Sequence, residues 1–183
     1  VSYGGHIYNG YPADSIDEAG ASRCGIHRIT TLTSRGVLLD VARVKGVDVL
    51  EAGYPITAAD LDAAEELARV TVQPGDVVLV RTGQYGLLPD KWAYTLGGAG
   101  LTMATALWFH EHDVAAVATD SLAFEVYPFD GGMTLPVHLL HLVEMGMTQG
   151  QNWVLDDLAA DCADDGRYDF LLEASPLPFV RAV

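Results

Sequence analysis

Apolar and polar residues form alternating blocks along the chain that predict strands and helices in succession. Short apolar runs predict strands at residues 36–41, 76–82, 114–119 and 168–174. Apolar residues at helical spacing predict helices at residues 57–70, 101–112, 136–145 and 153–165. The repeated order of strand, helix and strand favours a layered α/β fold over a β-sandwich.

Two of these helices carry further signals. Thr57 is suited to cap the N-terminus of the helix at 57–70, which has acidic residues in its first turn and a basic residue in its last. His110 and His112 are expected at the surface near the C-terminus of the helix at 101–112. In that helix four apolar residues are expected to face the core: Met103, Ala106, Leu107 and Phe109.

Glycine, proline and aromatic residues mark two long loops, at residues 1–22 and 83–100. Tyr3, His6 and Tyr8 in the first loop either supply polar tips to a pocket or belong to an extended segment that covers the core. The second loop ends in GGAG but has neither GxGxxG nor a phosphate-loop lysine. Nucleotide binding is therefore not expected.

Several acidic residues stand where strands end or loops begin. Asp40 stands near the end of the first predicted strand, where it is either a site residue or the partner of Arg35 or Arg43. Glu125 and Asp130 lie in a third loop, at residues 124–133, and the pattern assigns neither of them a role.

The chain is strongly acidic, and half of its residues are apolar. With 183 residues it is long enough to bury one core, and we expect a single domain at residues 1–183. Its formal charge of −15 would repel phosphate backbones and anionic lipids, which argues against nucleic-acid and membrane partners. It has no run of about 20 apolar residues and no signal-peptide pattern, so we expect a cytoplasmic protein. The two cysteines form no CxxC pair, which predicts reduced thiols.

The segment from Leu135 to Asn152 gathers the most candidate chemistry. His138, His141 and Glu144 follow one another at intervals of three residues, which places neighbouring pairs on one face of a helix. Imidazole and carboxylate groups are ligands for zinc, manganese and iron. Histidines at this spacing are also common as surface or core residues, so the spacing alone leaves both interpretations open.

Six runs of the sequence, taken together, resemble a known family. They are IYNGYPAD, RGVLLDVAR, GDVVLVRTG, VAAVATDS, LPVHLLHLVEMG and LDDLAADCADDGRYDFLL. In this order, over essentially the whole chain, they resemble the putative cyclase family of metal-dependent hydrolases. That family includes the bacterial kynurenine formamidases (arylformamidases) and the isatin hydrolases.

The resemblance implies an α/β fold of the swivelling β/β/α type, with a mixed sheet flanked by helices, in a homodimer or larger homo-oligomer. It also implies zinc or manganese, in some members two ions, bound through an HxGTHxDxxxH signature and through a later histidine and glutamate. The signature is absent from this sequence. Its last histidine would fall just before Val1, so the resemblance implies a chain that is truncated at its N-terminus.

By its place in the family pattern, the later histidine corresponds to His138, eight residues before Gly146. His141 matches no ligand of the family. The glutamate is expected directly before Asn152, where this sequence has Gln151. A glutamine supplies only a neutral carbonyl oxygen, so a site that uses Gln151 is expected to bind a metal more weakly.

The resemblance therefore implies part of a hydrolase that cleaves a formamide, lactam or similar amide bond with a metal-activated water. The aromatic residues of the loops suit a flat aromatic substrate and equally suit plain packing: Tyr3, Tyr8, Tyr85, Trp92 and Trp153. A role in tryptophan catabolism follows only from the family. The alternatives are a non-catalytic relative that acts in oligomerisation or binding, and an incomplete domain without a function of its own.

Overall fold

The computed structural model describes residues 1–96 and 98–182. Gly97, in the predicted loop at 83–100, and Val183, at the end of the predicted domain, lie outside the described residues. The strands are β1 (Ile16–Asp17), β2 (Gly20–Ala21), β3 (Thr33–Asp40), β4 (Pro55–Ile56), β5 (Val77–Arg81), β6 (Gly100–Leu101), β7 (Ala116–Thr119), β8 (Thr148–Gly150) and β9 (Asp169–Glu173). The α-helices are α1 (Val41–Val44), α2 (Ala58–Ala68), α3 (Lys91–Leu96), α4 (Met103–Glu111), α5 (Pro136–His138) and α6 (Asp156–Asp165).

The centre of the fold is a five-stranded mixed sheet in the order β8-β7-β5-β3-β9. The first four strands of this order are parallel, and β9 pairs antiparallel with β3 at one edge. Short parallel strands β4 and β6 form a separate pair, and β1 and β2 form an antiparallel pair. The predicted α/β class, with a mixed sheet flanked by helices, is confirmed.

Side chains that alternate along β3 and β5 divide the core between the two faces of the sheet. Leu39 and Phe109 belong to the larger cluster, which packs α2 and α4 against one face. Leu38 and Leu79 belong to the smaller cluster, in which α6 covers the other face. Burial on both faces explains why β3 and β5 read as continuous apolar runs.

The helix at 57–70 forms as its end signals predict. The side chain of Thr57 accepts from the backbone N–H of Asp60, and the Asp60 carboxylate accepts from the backbone N–H of Thr57. This reciprocal capping box satisfies two N–H groups that a helix start leaves free. Arg69 follows the last turn in the left-handed conformation, with φ 54°, and ends the helix.

Two predictions for the following segments were wrong. Residues 83–100 are not one loop, because Gln84–Leu87 forms a 3-10 turn and Lys91–Leu96 forms α3. In α4, Leu107 is 58% exposed while Trp108 is 5% exposed. Trp108 takes the buried place because its ring also packs edge-on against Phe109 and its indole N–H donates to Asp62.

The helix at 136–145 forms, but not as one regular α-helix. It begins as α5 and continues as a π-helix over Leu139–Met145, ending at Gly146 in the left-handed conformation. Single-turn π segments are uncommon and cluster at functional sites. No helix within the described residues is both long enough and apolar enough to cross a membrane.

Candidate active site

Polar side chains collect where the parallel strands of the sheet end. Asp40 is the last residue of β3, Thr82 follows β5, Asp120 follows β7 and Gln151 follows β8. In open α/β sheets, ligands bind in the crevice outside the carboxyl ends of the strands. We therefore expect a ligand-binding site at this edge of the sheet.

A buried network fixes the ends of β5 and β7 to each other. The Asp120 carboxylate accepts from the backbone N–H and the hydroxyl of Thr82 at 2.8 and 2.7 Å, and from the N–H of Gly83 at 2.7 Å. Complete burial raises the pKa of Asp120 above its ordinary value despite these donors. Asp120 thus serves as the anchor of the turn after β5.

Asp40 has a structural role at the end of β3. Its carboxylate accepts from the backbone N–H of Arg43 at 3.0 Å, which caps α1, and from the guanidinium of Arg81 at 3.1 Å. Arg81 also donates to Asp156 at the start of α6. Asp40 therefore pairs with Arg43, as one of the two interpretations predicts, and also with Arg81, whereas Arg35 pairs with Asp76.

Glu125 is the acidic residue on which the site depends, and it is 1% exposed. The segment around it runs beside β6, where Leu101 donates to the carbonyl of Phe124 at 2.7 Å. A Cβ atom at Gly100 would lie 2.5 Å from the carbonyl carbon and oxygen of Glu125. Only a glycine at position 100 therefore lets the two segments approach this closely.

Glu125 holds both the ring and the backbone of His138. Its Oε1 and Oε2 lie 2.6 and 2.8 Å from His138 Nδ1, and Oε1 also accepts from the backbone N–H of His138 at 2.6 Å. The N–H groups in the first turn of a helix have no partner within the helix, so Glu125 caps α5 as it orients the imidazole. A carboxylate only accepts here, so Nδ1 carries the ring proton.

Gln151 completes this arrangement from the other side of the imidazole. Its Nε2 lies 2.6 Å from His138 Nε2. Because an amide nitrogen only donates, His138 Nε2 accepts and holds its lone pair toward Gln151. The structure thus brings together His138 and Gln151, the two predicted site residues, in one chain of hydrogen bonds with Glu125.

The charge of Glu125 is set by its partners. Burial alone would raise the pKa of its carboxyl group, but the hydrogen bonds from the ring and backbone of His138 outweigh burial and the pKa lies below its ordinary value. Glu125 is therefore an anion at neutral pH. The His138 side chain remains 12% exposed, so the imidazole connects a buried charge to the surface of the site.

His141 and Glu144, which share the three-residue spacing with His138, do not join this site. His141 is fully buried, with its ring edge-on to Phe109 and Phe124 at 5.7 Å, whereas Glu144 is exposed. The π-helical turn replaces the regular α-helical spacing that would place residues three apart on one face. Burial lowers the pKa of His141 to about 4. The side chain of Gln149 lies nearby and opposes this fall in pKa. No described group, however, is placed to form a hydrogen bond with either ring nitrogen.

The aromatic residues of the N-terminal loop serve packing more than a pocket. Tyr3 and Tyr8 are 55% and 41% exposed. The ring of Tyr8 lies over Gly146, where a Cβ atom would meet it at 2.4 Å. The ring of His6 lies 2.9 Å from the carbonyl oxygen of Gly4, and its backbone exchanges two hydrogen bonds with Tyr3. Tyr8 therefore covers the end of the π-helix, whereas Tyr3 and His6 remain exposed.

Glu125 is the site residue that sequence reasoning missed. The local pattern marks it only as an acid in a loop, because nothing in that pattern connects position 125 with position 138. The one signal was an acid between two apolar residues, Phe124 and Val126, both of which are buried. A charge enclosed in this way needs a buried partner.

A divalent metal is the cofactor that the resemblance implies. Within residues 1–96 and 98–182 no group of three or more His, Cys, Asp or Glu side chains could hold a metal ion. His138 fits the role of one ligand, since a buried carboxylate holds its Nδ1 as in known metal sites and its Nε2 is unprotonated. Gln151 offers only a neutral amide. The described residues thus fit part of a metal centre and do not form a complete one.

The chain belongs to the cyclase family. The family described as "Putative cyclase" matches residues 5–126, and a crystal structure described as a novel cyclase is 39% identical over 100% of the chain, with a TM-score of 0.86. The family match ends before His138, whereas the likeness to the solved cyclase includes it. None of the curated proteins compared with the chain matches it.

Two isatin hydrolases share the fold at lower identity. The enzyme from Labrenzia aggregata, solved with benzyl benzoate, is 17% identical over 86% of this chain and 60% of its own, with a TM-score of 0.63. The enzyme from Ralstonia solanacearum is 20% identical over 82% of this chain and 56% of its own, with a TM-score of 0.62. The chain spans 62% of the length of the solved cyclase.

Proposed function

We propose that this chain forms part of a hydrolase, similar to the arylformamidases, that cleaves an amide bond in a small, flat substrate. The observation that carries the proposal is the chain of hydrogen bonds from Glu125 through His138 to Gln151. Such an arrangement presents one imidazole nitrogen, unprotonated and fixed in direction, to whatever lies beside Gln151.

Each residue of this chain has a defined part in the proposal. Glu125 keeps the proton on His138 Nδ1, so the Nε2 lone pair stays available to a metal ion or a proton. The Gln151 amide donates a hydrogen bond to that lone pair, and rotation of the amide would leave the lone pair free. A zinc or manganese ion, when bound, would lower the pKa of its water to about 7 and so supply the nucleophile. We assign His138 and Gln151 as two of its ligands.

The choice of substrate class rests on the family and on the fold shared with isatin hydrolases. Isatin is a lactam and arylformamides are open-chain amides, so both reactions add water to the carbonyl of an amide whose nitrogen is bonded to an aromatic ring. The anionic Glu125 and the formal charge of −15 make a neutral substrate more suitable than an anionic one.

A hydrolysis assay tests the proposal. The protein expressed from its natural gene, supplied with Mn²⁺ or Zn²⁺, should hydrolyse isatin or N-formylkynurenine, followed by absorbance. His138→Ala should lower kcat/KM by at least about a hundredfold, because it removes a ligand to the ion. Glu144→Gln, at an exposed position on the same helix, should leave kcat/KM unchanged. Absence of metal-dependent turnover of either substrate would contradict the proposal.

Gln151 itself favours a second candidate, a non-catalytic relative that acts in binding or oligomerisation. Its amide already satisfies His138 Nε2, so the pair is stable without a metal ion. This candidate predicts a homodimer or larger oligomer in light scattering that neither EDTA nor Mn²⁺ alters. The hydrolase predicts that Mn²⁺ changes the His138 ring resonances.

A further inference from the structure

A sharp turn follows Gln151 and sets the direction of its side chain. Strand β8 pairs with β7 as far as Gly150, and two residues later Asn152 has a φ of 59°. The chain reverses there, so that a Cβ atom at Gly150 would meet the indole nitrogen of Trp153 at 2.4 Å. Gln151 stands between the end of the strand and this reversal. Its direction therefore depends on the conformation of the turn.

The left-handed conformation of Asn152 is a strained one. It costs free energy for every residue type except glycine, and asparagine is among the types that tolerate it best. Strain of this kind persists only where the surrounding structure enforces it, and it clusters at functional sites. Asn152 directly follows a residue of the candidate active site, so the contacts that hold its turn also bear on that site.

Hydrogen bonds from the backbone and from a side chain hold the turn. The backbone N–H of Asn152 donates to the carbonyl of Ser121 at 3.1 Å, and that of Trp153 donates to the carbonyl of Thr119 at 3.1 Å. These two bonds tie the turn to the end of β7. The hydroxyl of Tyr94 donates to Oδ1 of Asn152. Only this last bond requires the asparagine side chain.

Tyr94 reaches the turn from α3, 58 positions earlier in the chain. Its side chain is 6% exposed, and its ring packs edge-on against Tyr85 with the ring centroids 6.5 Å apart. Its backbone N–H donates to the carbonyl of Asp90 at 2.9 Å. The ring and the helix are thus fixed by contacts that do not involve the hydroxyl. The hydroxyl acts on the turn and is not needed to attach α3.

We propose that Tyr94 is a positioning residue for the candidate active site. Through Asn152 its hydroxyl keeps the turn after β8 left-handed, and so keeps the amide of Gln151 on Nε2 of His138. This inference deepens the proposed function and rests on it for the ligand role of Gln151. It can be tested without a metal ion, because the reporter is the 2.6 Å hydrogen bond between Gln151 and His138.

The test is nitrogen-15 NMR of the His138 ring at one fixed pH, in protein kept free of metal by EDTA. Gln151→Leu removes the donor to Nε2 and so gives the reference shift of that resonance. Tyr94→Phe should move the Nε2 resonance in the same direction, and Asn152→Ala should move it at least as far. The double variant should move it no further than Asn152→Ala alone, because both changes remove one hydrogen bond. Tyr85→Phe, the matched control beside Tyr94, should leave the resonance in place.

A second substitution separates positioning from packing. Glycine adopts a positive φ without strain, so Asn152→Gly in the Tyr94→Phe background should return the His138 resonance toward its wild-type position. If Tyr94 only packed α3 against the sheet, glycine at position 152 would restore nothing. An unmoved resonance in Tyr94→Phe, or a shift that Asn152→Gly does not reverse, would overturn the inference. Thermal unfolding of each variant shows that it folds.

The two proposals fail separately. Metal-dependent hydrolysis, together with a His138 resonance that Tyr94→Phe does not move, contradicts only the role of Tyr94. A resonance that depends on Tyr94, in a protein that hydrolyses neither substrate, contradicts only the proposed function.

Discussion

The Nδ1 atom of His138 lies 2.6 and 2.8 Å from the two carboxylate oxygens of Glu125, a residue that precedes it by thirteen positions. Glu125 is enclosed and anionic, while His138 reaches the surface of the site. The carboxylate therefore fixes both the position of the ring and the nitrogen that carries its proton. The ligand role proposed for His138 depends on this relationship.

Glu125→Gln should weaken the preference of His138 for the tautomer that is protonated at Nδ1. A single amide oxygen would then serve two donors, the ring and the backbone N–H, in place of two charged oxygens. We expect the free energy of unfolding to fall by about 2 kcal/mol. Nitrogen-15 NMR of the His138 ring should change from the Nδ1–H form to a mixture of both tautomers. The exposed Glu144→Gln is the control, and an unchanged His138 spectrum in Glu125→Gln would refute the assignment.

Gly100→Ala should disturb the site without touching any polar group in it. The added Cβ would come within 2.5 Å of the Glu125 backbone, which has to move. Overpacking of this kind costs about 1–3 kcal/mol in unfolding free energy. Gly86→Ala is the matched control, since its Cβ would meet only Asp156 Oδ2 at 3.9 Å. Equal stability of the two variants in urea denaturation would show that the close approach at Gly100 is not required.

His141 should make the protein less stable as pH falls below neutrality. Burial lowers its pKa to about 4 from an ordinary value of 6.5, so between these values the unfolded chain binds a proton that the folded protein does not. The resulting loss begins as pH falls through 6.5, grows down to about pH 4 and reaches about 3 kcal/mol.

His141→Leu should remove that part of the pH dependence, measured by urea denaturation between pH 7 and pH 4. His110→Leu, at an exposed position of α4, should retain it. If the slope of stability against pH is the same in His141→Leu and in the wild type, then His141 is not the group responsible.

The sequence predicted the long elements of the fold and named two of the three residues in the hydrogen-bonded chain, His138 and Gln151. Residues 36–41 and 76–82 were found as strands because both faces of β3 and β5 are buried and their sequences are apolar throughout. Strand β8 was missed because TQG has only three residues, all half-buried, and its pairing depends on β7. Short strands of this kind are set by their neighbours and not by their own composition.

The site was predicted only as far as the family pattern reached. His138 and Gln151 came from that pattern, whereas helical spacing alone left the roles of His138, His141 and Glu144 open, and a π-helical turn replaces the regular one on which that spacing rests. Glu125 gains its role from contacts across the fold. No spacing in the sequence encodes those contacts, so the residue could not be found without the structure.

We propose that His138 and Gln151 are two ligands of a metal ion. Gln151→Glu tests it, since a carboxylate in place of the amide restores the charge that a dication prefers. In a Mn²⁺ or Zn²⁺ titration followed by calorimetry, Gln151→Glu should bind at least about tenfold tighter than the wild type, and the double variant with His138→Ala should lose that gain. An affinity that Gln151→Glu does not change, or a gain that persists without His138, would contradict the claim.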